Sequence, residues 1–349
     1  WNVALQQQVG QDWLASATYM GSHTINLVQS APANPALYFP GVADASGVCQ
    51  VTVPQGVSVG SGTYTLTGMN PGATCSTNGN VNQRRILYLV DPVEGLPVGA
   101  LSLTNTGGTS SYNGLLVSLQ RRAATGININ TNYTWSHCIS PFHDYGWGGT
   151  GFNGDNVYQN PDNRDASRGN CTQDRRHNFV LTTVARTPEF ANATTRAILS
   201  DWSLSVIYRV NSGSYLSLDN QGRDLARNGV NPTNQFAQVT GDVLSGEEGP
   251  DTQYFNLANV TAPAIGTLGN AGIRNVRGPM QWDFDVSLVR TFDLGETESL
   301  EFRVEAYNLT NSFRAGNPNT AVGNRNFGRI RGINSDDPRI LQFALKLGF

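Results

Sequence analysis

The last eleven residues, Arg339 to Phe349, alternate with a period of two. Leu341, Phe343, Leu345, Leu347 and Phe349 fall on one side; Ile340, Gln342, Ala344, Lys346 and Gly348 fall on the other. Successive side chains of a β-strand point to opposite faces, so this segment reads as a strand with one wholly apolar face and one mostly polar or small face. Its length is that of a tilted strand crossing a bilayer, roughly 9–11 residues. Chain ends are ordinarily frayed and polar, whereas this one closes on an aromatic ring. Two architectures accept such a strand: a soluble sandwich and a wall that stands in lipid.

The same alternation recurs upstream. Strands are predicted over Trp1–Val9, Asp12–Met20, Asn113–Arg121, Ile127–His137, Asn178–Arg186, Trp202–Val210, Gln281–Thr291 and Leu300–Thr310. Ile127, Ile129, Thr131, Tyr133 and Trp135 alternate with Asn128, Asn130, Asn132, Thr134 and Ser136. Most of these segments exceed the roughly 5–6 residues usual for strands of globular domains. Trp13, Tyr19, Tyr133, Trp135, Trp202, Tyr208, Trp282 and Phe349 cluster near strand ends, where the aromatic girdles of a membrane barrel lie.

Connection lengths favour the lipid-embedded wall. Gly10-Gln11, Arg122–Gly126, Thr187–Thr195 and Asp293–Ser299 are short; Met20 to Asn113, His137 to Asn178, Asn211 to Met280 and Asn311 to Pro338 are long. Short turns on one rim and long loops on the other is the pattern of outer-membrane barrels, and structureless loops of such length are uncommon in compact soluble domains. The fold expected is therefore all-β: an antiparallel meander forming part of a large transmembrane β-barrel. Nine strands is an odd number, and an open sheet would leave two unpaired edges in lipid. An odd number of strands is accordingly expected upstream of Trp1. The chain opens without Met or a basic leader, which fits a cleaved export signal or a piece of a longer polypeptide.

Composition agrees. Charged residues make up only 14% of the 349, glycine is abundant at 38, and Lys346 is the single lysine. The net charge of −3 implies no surface for a polyanion, so no nucleic-acid partner is expected. No run of 18 apolar residues exists to form a transmembrane helix, which does not bear on a β-barrel. Cys49, Cys75, Cys138 and Cys171 are even in number and lack Cys-x-x-Cys spacing, consistent with two disulfides in an oxidising compartment. Three pairings are possible. Cys49–Cys75 with Cys138–Cys171 is the local one, closing each bond within one long loop; four separate buried thiols are the competing reading.

Catalytic and metal motifs are poor. Gly56-Val57-Ser58-Val59-Gly60 has a hydrolase-elbow pattern without the strand and helix it requires. Gly146-Trp147-Gly148-Gly149-Thr150-Gly151 has a dinucleotide-loop pattern without a βαβ unit. His23, His137, His143 and His177 lack zinc spacing. Asp155, Asp162, Asn163 and Asp165 could offer oxygens to Ca²⁺, but not at EF-hand spacing. No enzyme activity, cofactor or metal is expected. The chemistry worth following is the second face of the late strands: Asp283, Asp285, Glu301, Arg303, Glu305 and Lys346 would point into a barrel lumen. They would hold a plug or line a solute path there, or simply satisfy one another by cross-strand pairing.

Trp1-Asn2-Val3-Ala4-Leu5-Gln6-Gln7-Gln8-Val9 followed by Trp13-Leu14-Ala15-Ser16-Ala17-Thr18-Tyr19-Met20-Gly21-Ser22-His23 resembles paired barrel strands of TonB-dependent outer-membrane receptors. Asn130–His137, Gly269–Gly272 with Arg277-Gly278-Pro279, Arg303–Asn311, Asn326–Ile330 and Asp337–Leu347 extend the resemblance, to the Oar-like subgroup that carries a carboxypeptidase-regulatory-like domain. Phe343, Leu345, Leu347 and Phe349 resemble the C-terminal signal that barrel-insertion machinery recognises. The resemblance implies a 22-stranded barrel in the Gram-negative outer membrane, in contact with its lipid. It further implies an N-terminal plug and a TonB box, with residues 1–349 as the C-terminal portion of the barrel. Function by this resemblance is uptake of a scarce solute of siderophore, glycan or peptide type, driven through the TonB complex. A structural or adhesive surface β-protein without transport is the alternative.

Overall fold

A computed structural model describes residues 1–54, 60–123, 126–141, 158–160, 162–230, 235–295, 297–332 and 338–349. Nine long strands among them form one antiparallel sheet in sequence order. They are β1 (Asn2–Val9), β2 (Trp13–Pro32), β3 (Ser102–Arg121), β4 (Ile127–Ser140), β5 (His177–Arg186), β6 (Trp202–Asn211), β7 (Gln281–Asp293), β8 (Ser299–Tyr307) and β9 (Ile340–Gly348). A two-residue strand, Gly169–Asn170, pairs with the end of β4. Each strand pairs only with its neighbours along the chain, so β1 and β9 are open edges. Because direction reverses at every step, β1 and β9 run the same way.

The register carries one face across the whole sheet. Directly opposed residues in an antiparallel pair share a face. Leu5 opposes Ala17, Ala17 opposes Val117, Val117 opposes Tyr133, and Tyr133 opposes Phe179. Phe179 opposes Val210, which opposes Trp282. On the same face further along β7, Leu288 opposes Val304 and Val304 opposes Phe343. The apolar residues of nine separate alternations therefore merge into one continuous surface. Among the described residues no second layer covers it: Phe343 is 66% and Leu345 71% exposed. Soluble monomers rarely expose a continuous apolar surface larger than a few hundred Å², and larger ones mark protein or membrane contact. The buried core lies elsewhere, among the long connections.

Aromatic rings mark both borders of this apolar face. Near the long connections, Phe179, Trp282 and Phe284 surround Tyr208 at centroid distances of 6.0–6.3 Å, and the Tyr133 hydroxyl is 2.8 Å from His177 Nδ1. Near the short turns, Arg290 lies 5.2 Å over Trp202 and 4.4 Å over Phe292, and Arg121 lies 5.8 Å over Trp13. Long side chains that keep their charge at the border while their stems cover apolar surface behave this way at membrane interfaces. From Trp282 to Phe292 is about 33 Å along β7 at roughly 3.3 Å per residue, or about 25 Å across at a tilt near 40°, the height of a barrel's apolar band.

Several boundaries differ from the sequence reading. β2 and β3 continue as a paired hairpin to Pro32 and from Ser102, past the expected ends at Met20 and Asn113. Once outside lipid, Ser- and Thr-rich strands need no apolar alternation to pair, so the pattern gave no sign of this arm. Register shifts at Thr24/Leu27 and Leu27/Gln29 and a left-handed Asn26 (φ 60°) interrupt it. β8 stops at Tyr307 and not Thr310, because Asn308 turns left-handed at φ 49°. The connection after β5 carries a short helix, Ala193–Leu199, capped by Asn192 Oδ1, which accepts from the amides of Thr194 and Thr195.

Described residues of the long connections build cores of their own. Residues 212–280 and 308–339 share a core of Leu218, Phe236, Tyr254, Phe255 and Ile273 with Val322, Phe327 and Ile330. Residues 33–101 enclose Phe39, Ala43, Leu66 and the Cys49–Cys75 disulfide around a hairpin of Cys49–Val53 with Gly62–Leu66. Together they form a cap on one rim.

Candidate functional site

The second face of the sheet is polar and changes character along the strand order. β1 to β5 present the uncharged Gln6, Gln8, Ser16, Thr18, Ser118, Gln120, Asn128, Asn130, Asn132, Thr134 and Thr182 beside the apolar Leu14, Leu116, Val180 and Val184, with Arg186 at the short-turn end of β5. Charge gathers on β6 to β9. Arg209 directly opposes Asp283; its Nη2 lies 2.9 Å from Asp283 Oδ2 and 3.3 Å from Asp285 Oδ2. Arg303 bridges Glu301 at 2.7 Å and Glu305 at 3.8 Å. Glu301 opposes Lys346, and Glu305 opposes Gln342. Asp283 and Asp285 thus pair across strands, with Arg209, whereas Arg303 pairs along its own strand with the residues two before and two after it.

The sequence reading missed Arg209 and Arg314. Arg209 is the one charge on the polar face of β6, a signal that acquires meaning only once register sets it against Asp283. Arg314 comes from the connection after β8, where no periodicity exists. Its guanidinium pairs with Asp283 Oδ1 and is 14% exposed. Arg209, Asp283, Asp285, Tyr307, Asn308, Arg314, Ile340 and Gln342 line a cleft of about 480 Å³ where the wall meets the cap. A second cavity of about 320 Å³ lies towards the short-turn rim, between Gln120, Arg122, Asn128, Asn130 and Thr182.

Arginines also hold the cap together. Arg84, fully buried, donates to the carbonyls of Leu37, Thr77 and Arg227 and to Asn80 Oδ1. It thereby joins residues 33–101 to residues 212–280, as do Arg85 Nη2 on Gly229 O and the Ala36 amide on Asn228 O. Desolvation lowers the Arg84 pKa to about 10, partly opposed by Asp224, so the side chain stays charged at neutral pH. Arg274 donates to Asn170 O and Ser140 O and ties in the connection after β4. A Cβ at Gly169 would lie 1.8 Å from Ile273 O, so only glycine permits that approach. Burial raises the pKa of Tyr254 to about 12, and its hydroxyl donates to Arg277 O.

Both disulfides of the local pairing are present, spanning 26 and 33 residues. Cys138 sits in β4 and not in the loop after His137, because that strand continues to Ser140. Phe343, Leu345 and Leu347 lie on the apolar face of β9, and Phe349 follows its end. All of the Gly56–Gly60 motif but Gly60 falls on residues 55–59, and Gly146–Gly151, His143 and Asp155 fall on 142–157; these lie outside the described residues. Asn163 Oδ1 accepts from the Ala166 amide, capping the turn Arg164–Ser167. Among the described residues, no three His, Cys, Asp or Glu are grouped to hold a metal.

The sequence matches the outer membrane beta barrel domain family over residues 1–342, and the chain belongs to that family. Its location is the outer membrane. Comparison with curated proteins finds no match. Among solved structures, the crystal structure of the outer membrane transporter YddB from Escherichia coli is similar at a TM-score of 0.41 and 9% identity, over 100% of this chain and 32% of that one. This chain thus spans about a third of the length of that transporter.

Proposed function

We propose that this chain is part of the barrel wall of a TonB-dependent receptor of the Oar-like subgroup, which takes up a small solute across the outer membrane. The observation that carries the reading is the pair of faces. A continuous apolar surface bounded by aromatic belts suits lipid, and the amide- and charge-bearing surface behind it suits a lumen. Asp283, Asp285, Glu301, Arg303, Glu305 and Lys346 would then face the lumen, with the disulfide-tied cap on the outer side. No reaction is required of these residues; energy would arrive through TonB.

The strand directions support residues 1–349 as one portion of a larger barrel. Closing β1 directly on β9 would join two strands that run the same way. An antiparallel closure needs an odd number of further strands, and unpaired N–H and C=O groups at either edge cost several kcal/mol each in hydrocarbon. A plug would sit against the polar face. Cross-linking in intact cells, followed by recovery of the protein and probing for TonB, tests the energy source. A TonB adduct is expected. Recovery without one, from cells in which another receptor yields it, favours the adhesive alternative.

A further inference from the structure

Gln281, Asp283 and Asp285 are consecutive residues on the polar face at the start of β7, and each holds the connection that follows β8. Gln281 Nε2 donates to Ala315 O at 2.7 Å, Asp283 pairs with Arg314, and Asp285 Oδ1 accepts from the Asn308 amide at 2.9 Å. The far root of the same connection is fixed at the strand end, where the Arg339 amide donates to Asn311 Oδ1 at 3.1 Å. The segment leaves β8 with the Leu309 amide still on Phe284 O, and residues 308–315 then meet the polar-face side chains at the start of β7, at the rim that bears the cap. A connection that merely joined β8 to β9 had no reason to spend three side chains of another strand on this position. Arg209 fixes the two carboxylates from the opposite side, which sets Asp283 to receive Arg314.

We propose that residues 308–315 are a strap that narrows the outer mouth of the lumen and is latched by the Gln281–Asp283–Asp285 row. The proposal rests on the polar face being the lumen. Opening the strap breaks the Arg314–Asp283 pair and the Gln281 and Asp285 hydrogen bonds and draws Ala315 out of the cap core, while Arg209 stays paired with both aspartates. The cleft between strap and wall, lined by Asn308, Arg314 and Gln342, is the seam along which it parts.

Thiol labelling of the protein in intact cells tests this. All four cysteines of residues 1–349 are bonded in disulfides, so a cysteine placed at Ser287 is the one free thiol of this portion, and labelling is read against the parent without it. Ser287 lies on the polar face one step deeper than Asp285, opposite Ser205 and Glu305. A membrane-impermeant maleimide added outside should label Ser287→Cys slowly. Adding Arg314→Ala, Asp283→Asn or Gln281→Ala should raise the rate, by about tenfold for the charge variants, which corresponds to about 1.4 kcal/mol of lost closure. Arg314→Lys, which keeps the charge, should stay near the parent. If Arg314→Ala fails to reach the membrane, the Asp283→Asn and Gln281→Ala variants decide. Equal rates in all backgrounds overturn the strap. Labelling of Val286→Cys with none of Ser287→Cys overturns the lumen assignment instead.

Discussion

Val304 stands near the middle of β8, on the apolar face, between Leu288 of β7 and Phe343 of β9. Glu305 is its neighbour on the polar face, paired with Arg303. If the apolar face meets lipid, Val304→Arg places a guanidinium near the bilayer midplane, at a cost of roughly 2–4 kcal/mol in folded barrels. The position is too far from either aromatic belt for the side chain to reach water easily. Glu305→Gln removes one partner of an exposed ion pair and should cost about 1 kcal/mol or less. Were the same face in water, Val304→Arg would cost little, since exposed strand positions tolerate charge. The assay is urea unfolding of the protein refolded into vesicles, followed by tryptophan emission. The expected result is a large loss of stability for Val304→Arg and a small one for Glu305→Gln. Equal stability of Val304→Arg and parent, or a greater loss for Glu305→Gln, would refute the reasoning.

The cap gives three more expectations. Arg84→Ala strips donors from three carbonyls and Asn80, costing at least about 3 kcal/mol locally; hydrogen exchange at Ala36 and Leu37 should accelerate while β6 and β7 stay protected. Loss of either disulfide frees a long segment, worth roughly 3.5 kcal/mol in the chain-entropy model; limited proteolysis with and without reductant should show new cuts in 33–101 or near 140–171 and none in the wall. Burial raises the Asp219 pKa despite hydrogen bonds from Gln221 and Thr320, so the folded cap releases this proton at higher pH than the unfolded chain. Its contribution therefore falls as pH rises through that window, and Asp219→Asn should stabilise the cap at pH 7 but not at acid pH, by thermal unfolding; equal gains at both would contradict this.

How much of this could be read in the sequence follows from where lipid imposes order. The nine wall strands were legible because the bilayer forces apolar residues onto every second position, as in Trp202–Val210 and Ile127–Trp135. Their order followed from the alternation of short and long connections. The β2–β3 arm was not legible: beyond Gly21 the strands stand in water, where nothing demands alternation. The cap was hidden for a related reason. Its core residues, such as Leu218, Phe255 and Ile330, are spaced irregularly and meet only through tertiary contacts. The Asp283–Arg209–Arg314 cluster was half visible. The carboxylates lay on a periodic face, but Arg209 needed the register, and Arg314 needed the path of a connection without period.

The central claim is that one face of this sheet stands in lipid and the other in a lumen. Spin labels placed singly at each position from Ser203 to Val210 of β6 in vesicle-bound protein test it most directly, by collision with oxygen and with a water-soluble nickel complex. Oxygen maxima are expected at 204, 206, 208 and 210 and nickel maxima at 203, 205, 207 and 209. A profile without period two, or one with the phases reversed, would contradict it.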